Sequence, residues 1–164
     1  MRKLFQGFTF LSMILVAACQ SEPGSPSKEE VLNEIPSTSP GIKGTWKLIS
    51  GTLIEKNDTT TTDYTKGKSF IKIINDTHFA FLLHDLKQGK DSSAVYSSGG
   101  GTYTLADGTY TEHLEYCSDR NWEGHNFPFT ITINNDTLTQ RGVEKIEASG
   151  IDRLNIERYV RVGK

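Results

Sequence analysis

Gly44-Thr45-Trp46-Lys47-Leu48-Ile49-Ser50-Gly51-Thr52-Leu53-Ile54-Glu55-Lys56 is the stretch on which the fold turns. Trp46, Leu48 and Ile54 share one parity, while Thr45, Lys47 and Leu53 share the other. Successive side chains of a strand point to opposite faces, so this is a long strand with one side on a core. Ser50 and Gly51 stand mid-run, where a strongly bent strand tolerates small residues.

Working outward from that stretch, seven further runs read as strands: 68–74, 77–83, 99–106, 109–117, 127–133, 138–146 and 153–162. Asn75-Asp76 and Asn134-Asn135-Asp136 are turn chemistry, and Asp107-Gly108 is the strongest hairpin signal in the chain. Residues 57–66 and 85–98 read as long polar loops, the first of them Thr-rich. No apolar run between strands has the length of a crossover helix. Eight strands in meander order then close most simply as an up-and-down antiparallel barrel, which leaves no unpaired edge. Such an interior is either filled by side chains or holds one small ligand.

The Gly44-Thr45-Trp46 motif at the head of the first strand resembles the lipocalin and wider calycin pattern. So do Gly101-Thr102-Tyr103-Thr104, Glu112-His113-Leu114-Glu115-Tyr116 and the Tyr159-Val160-Arg161-Val162 end, in the manner of lipocalin-like proteins secreted by bacteria. The resemblance covers about 43–162 and implies a β-barrel domain over 43–164. It also implies that the first long loop folds over the open end, with an ordinary mobile loop as the alternative, and that an arginine late in the chain covers the tryptophan at the closed end.

The amino terminus carries a different kind of information. Arg2-Lys3 followed by the apolar run 8–18 is the pattern of a secretory signal, too short for a stable membrane span. The run ends Leu15-Val16-Ala17-Ala18-Cys19, which resembles the lipobox of bacterial lipoproteins. The resemblance implies that residues 1–18 are a signal peptide and that Cys19 is acylated, with palmitate among its acyl chains. Three chains, at about 0.8 kcal/mol per buried methylene, would hold a protein at a membrane almost permanently. Gln20 in place of an aspartate leans towards the outer membrane of the cell envelope over the inner one. Residues 19–42, rich in Ser, Pro and Glu, read as a flexible tether, with a short helical turn near Lys28 to Ile35.

Charge narrows the partners. The formal charge is −2, and removing Arg2 and Lys3 leaves 16 basic against 20 acidic groups. That balance disfavours nucleic acid. With Cys19 acylated, Cys117 is the one remaining thiol, so no disulfide within the chain is expected.

Strand parity decides what faces inward. A two-residue turn at Asn135-Asp136 sets Ile133 opposite Leu138, Ile131 opposite Gln140, Phe129 opposite Gly142 and Phe127 opposite Glu144. The Phe127/Phe129 face is apolar, so Gln140 and Glu144 go in with it. In the last strand Leu154, Ile156, Val160 and Val162 form the apolar face, and Arg158 sits among them. A buried arginine needs a partner, and Glu144 is the candidate for a structural ion pair with Arg158. Arg158 is likewise the expected cover of Trp46, with a role as receptor for a ligand carboxylate as the alternative.

In the fifth strand, one register puts Tyr110, Glu112, Leu114 and Tyr116 inside and another puts His113 and Glu115 there. The former buries more apolar area. The expected ligand-lining set is Trp46, Phe79, Phe81, Tyr110, Tyr116, Phe127, Phe129 and Arg158. The expected function is a lipid-anchored envelope protein that binds a small, mostly apolar ligand. The opposing expectation is a filled barrel that meets another protein through its loops, and a cavity of about 300 Å³ or more separates the two. His78, His84, His113, His125 and Cys117 lack any metal-ligand or nucleophile spacing, so neither an enzyme, a haem or metal site nor any other cofactor is expected.

Overall fold

The computed structural model describes residues 41–163. The signal peptide, Cys19, residues 19–40 of the tether and the helical turn read above lie outside the described residues, whereas Ile42 at the end of that tether is buried in the core. Over the described residues the chain is all-β: β1 (Gly44–Glu55), β2 (Asp58–Asp63), β3 (Lys68–Ile74), β4 (His78–Asp85), β5 (Tyr96–Ala106), β6 (Thr109–Cys117), β7 (His125–Asn134), β8 (Thr137–Ile146) and β9 (Ile151–Val162). Two single turns of 3-10 helix, at Arg120–Trp122 and Glu147–Ser149, lie in connections.

From β3 to β9 each strand pairs antiparallel with the next, and β1 pairs with both β3 and β9, closing an eight-stranded barrel. Closure abolishes the exposed edges of the meander. The Asp107-Gly108 hairpin forms as expected, with φ of 51° and 76°, the left-handed pair that a two-residue turn requires.

The stretch 57–66 departs from expectation. It is not a free loop over the barrel mouth. Asp58-Thr59-Thr60-Thr61-Thr62-Asp63 is a strand that folds back on Ser50–Glu55 through the two-residue turn Lys56-Asn57. Four consecutive β-branched threonines favour a pleated surface, and that signal was legible. β3 reaches only Gly44–Lys47 of β1, and β2 continues the wall beyond it. The β4–β5 connection is also shorter than expected, because β4 runs to Asp85 and β5 starts at Tyr96. The buried Asp85 carboxylate accepts backbone N–H groups of Lys87, Gly89 and Val95, fixing that loop.

Two irregularities decide which side chains enter the barrel. In β1, Leu48 pairs with Tyr159 but Ser50 pairs with Arg158, so Ile49 is an extra residue and parity flips. Trp46 and Leu48 face in before the bulge, and Gly51 and Leu53 face in after it. In β6, Leu114 pairs with Gly101 but Tyr116 pairs with Gly100, so Glu115 is the extra residue. Gly101 lies against this bulge, and a Cβ there would run into the His113 carbonyl oxygen.

One end of the barrel is filled. Trp46, Leu48, Tyr110, Leu138 and Tyr159 are at most 1% exposed, and Ile42 from the entering chain packs with them. Burying a large apolar side chain contributes about 1.5–3 kcal/mol, so this layer supplies much of the stability. Trp46 donates its indole N–H to the Ile42 carbonyl at 2.7 Å. The Arg161 guanidinium lies 4.0 Å from the centre of the Trp46 ring, and it donates to the carbonyls of Lys43 and Gly41. The tryptophan therefore does meet an arginine from the last strand, but Arg161 takes the place expected of Arg158.

Candidate ligand cavity

The reason for that substitution is the parity of β9. Its inward residues are Arg153, Asn155, Glu157, Tyr159 and Arg161, and Arg158 is exposed on the outer wall with Leu154, Ile156, Val160 and Val162. β8 settles this from the other side. Leu138 and Gln140 are inward, and their partners across the ladder are Tyr159 and Glu157. The apolar parity of β9 lies outside because the polar parity is matched within, residue by residue.

Glu144 faces in as expected, but its partners are Arg153 Nε at 2.7 Å and Asn155 Nδ2 at 2.8 Å. The expected Glu144–Arg158 pair is thus replaced by Glu144–Arg153, directly opposite in the ladder. With Arg158 outside, its roles as interior plug and as anion receptor both fall.

Above the filled end lies a layer of buried charge. Lys72 is 3% exposed and donates to Glu112 Oε1 at 2.6 Å and to Gln140 Oε1 at 3.1 Å, with Glu157 Oε2 at 3.8 Å. Burial by itself would lower the Lys72 pKa. The carboxylates of Glu112 and Glu157 outweigh it and hold the ammonium above its ordinary range. Burial pushes the Glu112 carboxyl up, and Lys72 opposes that only in part. The Tyr159 hydroxyl donates to Glu157 Oε2 at 2.7 Å. The Tyr110 hydroxyl is buried beside Glu112 with no partner at hydrogen-bonding distance among the described residues, and burial holds its pKa far above that of a free phenol.

Beyond this layer the interior opens into a cavity of about 340 Å³. Its aromatic wall includes Phe70, Phe81, Trp122, Phe127 and Phe129; Phe70 and Phe81 stack with ring centres 5.8 Å apart. Its polar wall is the layer of Lys72, Glu112, Gln140, Glu144, Arg153 and Glu157. Leu53, Thr62 and Tyr64, carried by the β1–β2 hairpin and the chain that follows, also line it. Arg153 lies 5.0 Å from the Trp122 ring centre, which couples the 3-10 turn to the polar wall.

Of the residues expected to line the interior, Phe81, Phe127 and Phe129 border this cavity. Trp46, Phe79 and Tyr110 face inward but belong to the filled layer below it. Tyr116 is 67% exposed on the outer wall, because the Glu115 bulge reverses the parity that Tyr110, Glu112 and Leu114 follow. That same bulge turns Cys117 inward, where burial raises its thiol pKa. Of the two glutamates, Glu112 is the inward one and Glu115 is held outside by Thr102. His78 and His84 are exposed, His113 bonds Asn126 on the outer wall, and His125 lies by the Trp122 carbonyl. Among the described residues no three His, Cys, Asp or Glu side chains converge into a metal-holding group.

Sequence reasoning missed Lys72, Asn155, Glu157 and Arg153. Lys72 was visible as the one charge within the apolar run Phe70-Ile71-Lys72-Ile73-Ile74, on the parity of Phe70 and Ile74. No protein-family model matches the chain, and comparison with curated proteins gives no match, so the barrel and its cavity are what the functional reading stands on.

Proposed function

We propose that this chain is a lipocalin-like binding protein of the cell envelope. It is anchored through acylated Cys19, with the outer membrane favoured, and it holds one small molecule in the open half of its barrel. Its task is binding and not catalysis. The observation that carries the reading is the cavity of about 340 Å³, lined by aromatic rings on one part of its wall and by a layer of buried charged and polar side chains on another. Ligand sites are concave, mostly apolar and furnished with a few placed polar groups. A barrel serving only as a scaffold for loop contacts would have no use for such a void, which weighs against the filled-barrel alternative.

The expected ligand needs revision in one respect. It is amphiphilic, with an apolar body against Phe70, Phe81 and Phe127 and a polar end towards Glu157 and Gln140. Native mass spectrometry of the full chain, produced in a bacterium that processes lipoproteins, tests the binding. A reproducible copurified small molecule, or uptake of one from lipid and metabolite pools, is the expected result. A clean apo mass against every pool sinks the reading. The anchor has its own test: Cys19→Ser should move the protein from the detergent phase to the aqueous phase.

A further inference from the structure

The polar wall of the cavity is unbalanced in charge. Glu112, Glu144 and Glu157 line it against Lys72 and Arg153, and Asp119 adds a further carboxylate to the lining. Arg153 is engaged by Glu144 at 2.7 Å. Lys72 is engaged by Glu112 at 2.6 Å and stands 3.8 Å from Glu157. Among the described residues, one cation therefore serves two carboxylates, and Glu157 has no cation of its own. Its one short contact among them is the neutral Tyr159 hydroxyl, and its side chain keeps 15% of its surface open.

A low-dielectric pocket magnifies such an imbalance, because water screens less there and a buried charge without a counterion is costly. An anionic head group would have to take Lys72 or Arg153 away from carboxylates that already hold them. A cationic head group restores balance without breaking either pair. The aromatic wall points the same way, since ring faces attract cations, and the cavity already shows this with Arg153 over Trp122. The unpartnered Tyr110 hydroxyl beside Glu112 places one more oxygen in the same layer.

We propose that the ligand class is an organic monocation, a primary or substituted amine joined to an aromatic or aliphatic body. Its ammonium group sits at Glu157, and its body lies between Phe70, Phe81 and Phe127. This rests on the cavity being a binding site, and the experiment separates the two claims. The full mature chain is titrated with N-phenyl-1-naphthylamine, an apolar probe that is neutral at pH 7.5. The probe is then displaced by 4-phenylbutylamine or by 4-phenylbutyrate, which share a body and differ in charge.

The amine should compete at a concentration at least about tenfold lower than the acid. The variant E157Q, which keeps an acceptor for Tyr159 and leaves the Lys72–Glu112 pair in place, should bring the two within about threefold. Equal competition in the wild type, or better competition by the acid, overturns the charge assignment while leaving the cavity as a binding site. A folded E157Q that keeps the full preference overturns the placement at Glu157. Failure of the probe to bind at all would sink the cavity reading itself. The wild-type comparison stands whether or not E157Q folds.

Discussion

Lys72→Met is the most demanding test of the interior described here. The lysine is 3% exposed, and its ammonium donates to Glu112 and Gln140 while lying near Glu157. Methionine fills nearly the same volume, so the change removes charge with little change in packing. Breaking a buried pair by deleting one partner costs about 3–5 kcal/mol, because the other charge is left unpaired. In a domain of this size that corresponds to a fall in Tm on the order of 10–20 °C. The assay is urea unfolding at pH 8 and pH 5.

Without Lys72, burial and Glu157 both push the Glu112 carboxyl up, and the ammonium that opposed them is gone. Glu112 then takes a proton at a higher pH, so the deficit should be larger at pH 8 than at pH 5. The double variant K72M/E112Q should recover a large part of the loss, since both charges are then gone. A single variant within about 1 kcal/mol of wild type at pH 8, or a double variant no better than the single, would refute the buried pair.

The remaining predictions concern other parts of the barrel. The Lys72 pKa is raised in the folded state, so its contribution is present below about 10.5 and is lost as pH climbs through the folded value; wild-type unfolding free energy should fall in that alkaline range, and in K72M that fall should be smaller. Arg161→Ala removes the cover of Trp46 and two hydrogen bonds to carbonyls, and should cost about 2 kcal/mol in chemical denaturation. Arg158→Ala should stay within about 0.5 kcal/mol, and a reversal of that order would mean the parity of β9 is wrong. Gly101→Ala forces a methyl against the His113 carbonyl at the β6 bulge and should cost about 3 kcal/mol. Gly108→Ala has open space but φ of +76°, so its cost, read from the same melts, should be nearer 1 kcal/mol. Tyr159→Phe should lose about 1 kcal/mol with its bond to Glu157, whereas Tyr110→Phe, whose hydroxyl has no partner, should be neutral or slightly stabilising.

Much of the architecture was legible because it is local. Asp107-Gly108 demands a left-handed pair, Asn134-Asn135-Asp136 turns the chain, and alternation between turns marks strands; each of these is written within a few residues. The pairing of Ile133 with Leu138 and of Ile131 with Gln140 followed from turn length alone, and the ladder has both. The threonine run of β2 is equally local, but threonine is also a loop residue, so the run by itself does not separate strand from loop.

What the tertiary structure decided was parity. A bulge at Ile49 or Glu115 is a property of two strands in register, and it reverses every inward assignment beyond it. Tyr116 leaves the interior and Cys117 enters it for that reason. The last strand shows the limit more sharply. Its sequence offers an apolar face and a charged face, and burial of apolar area favours the first. The fold turns the charged face inward because Glu144 waits opposite Arg153 and Lys72 lies near Glu157, partners that are 9 and 85 positions away along the chain. Alternation is encoded residue by residue, but the energy of a buried charge depends on what the closed barrel brings beside it.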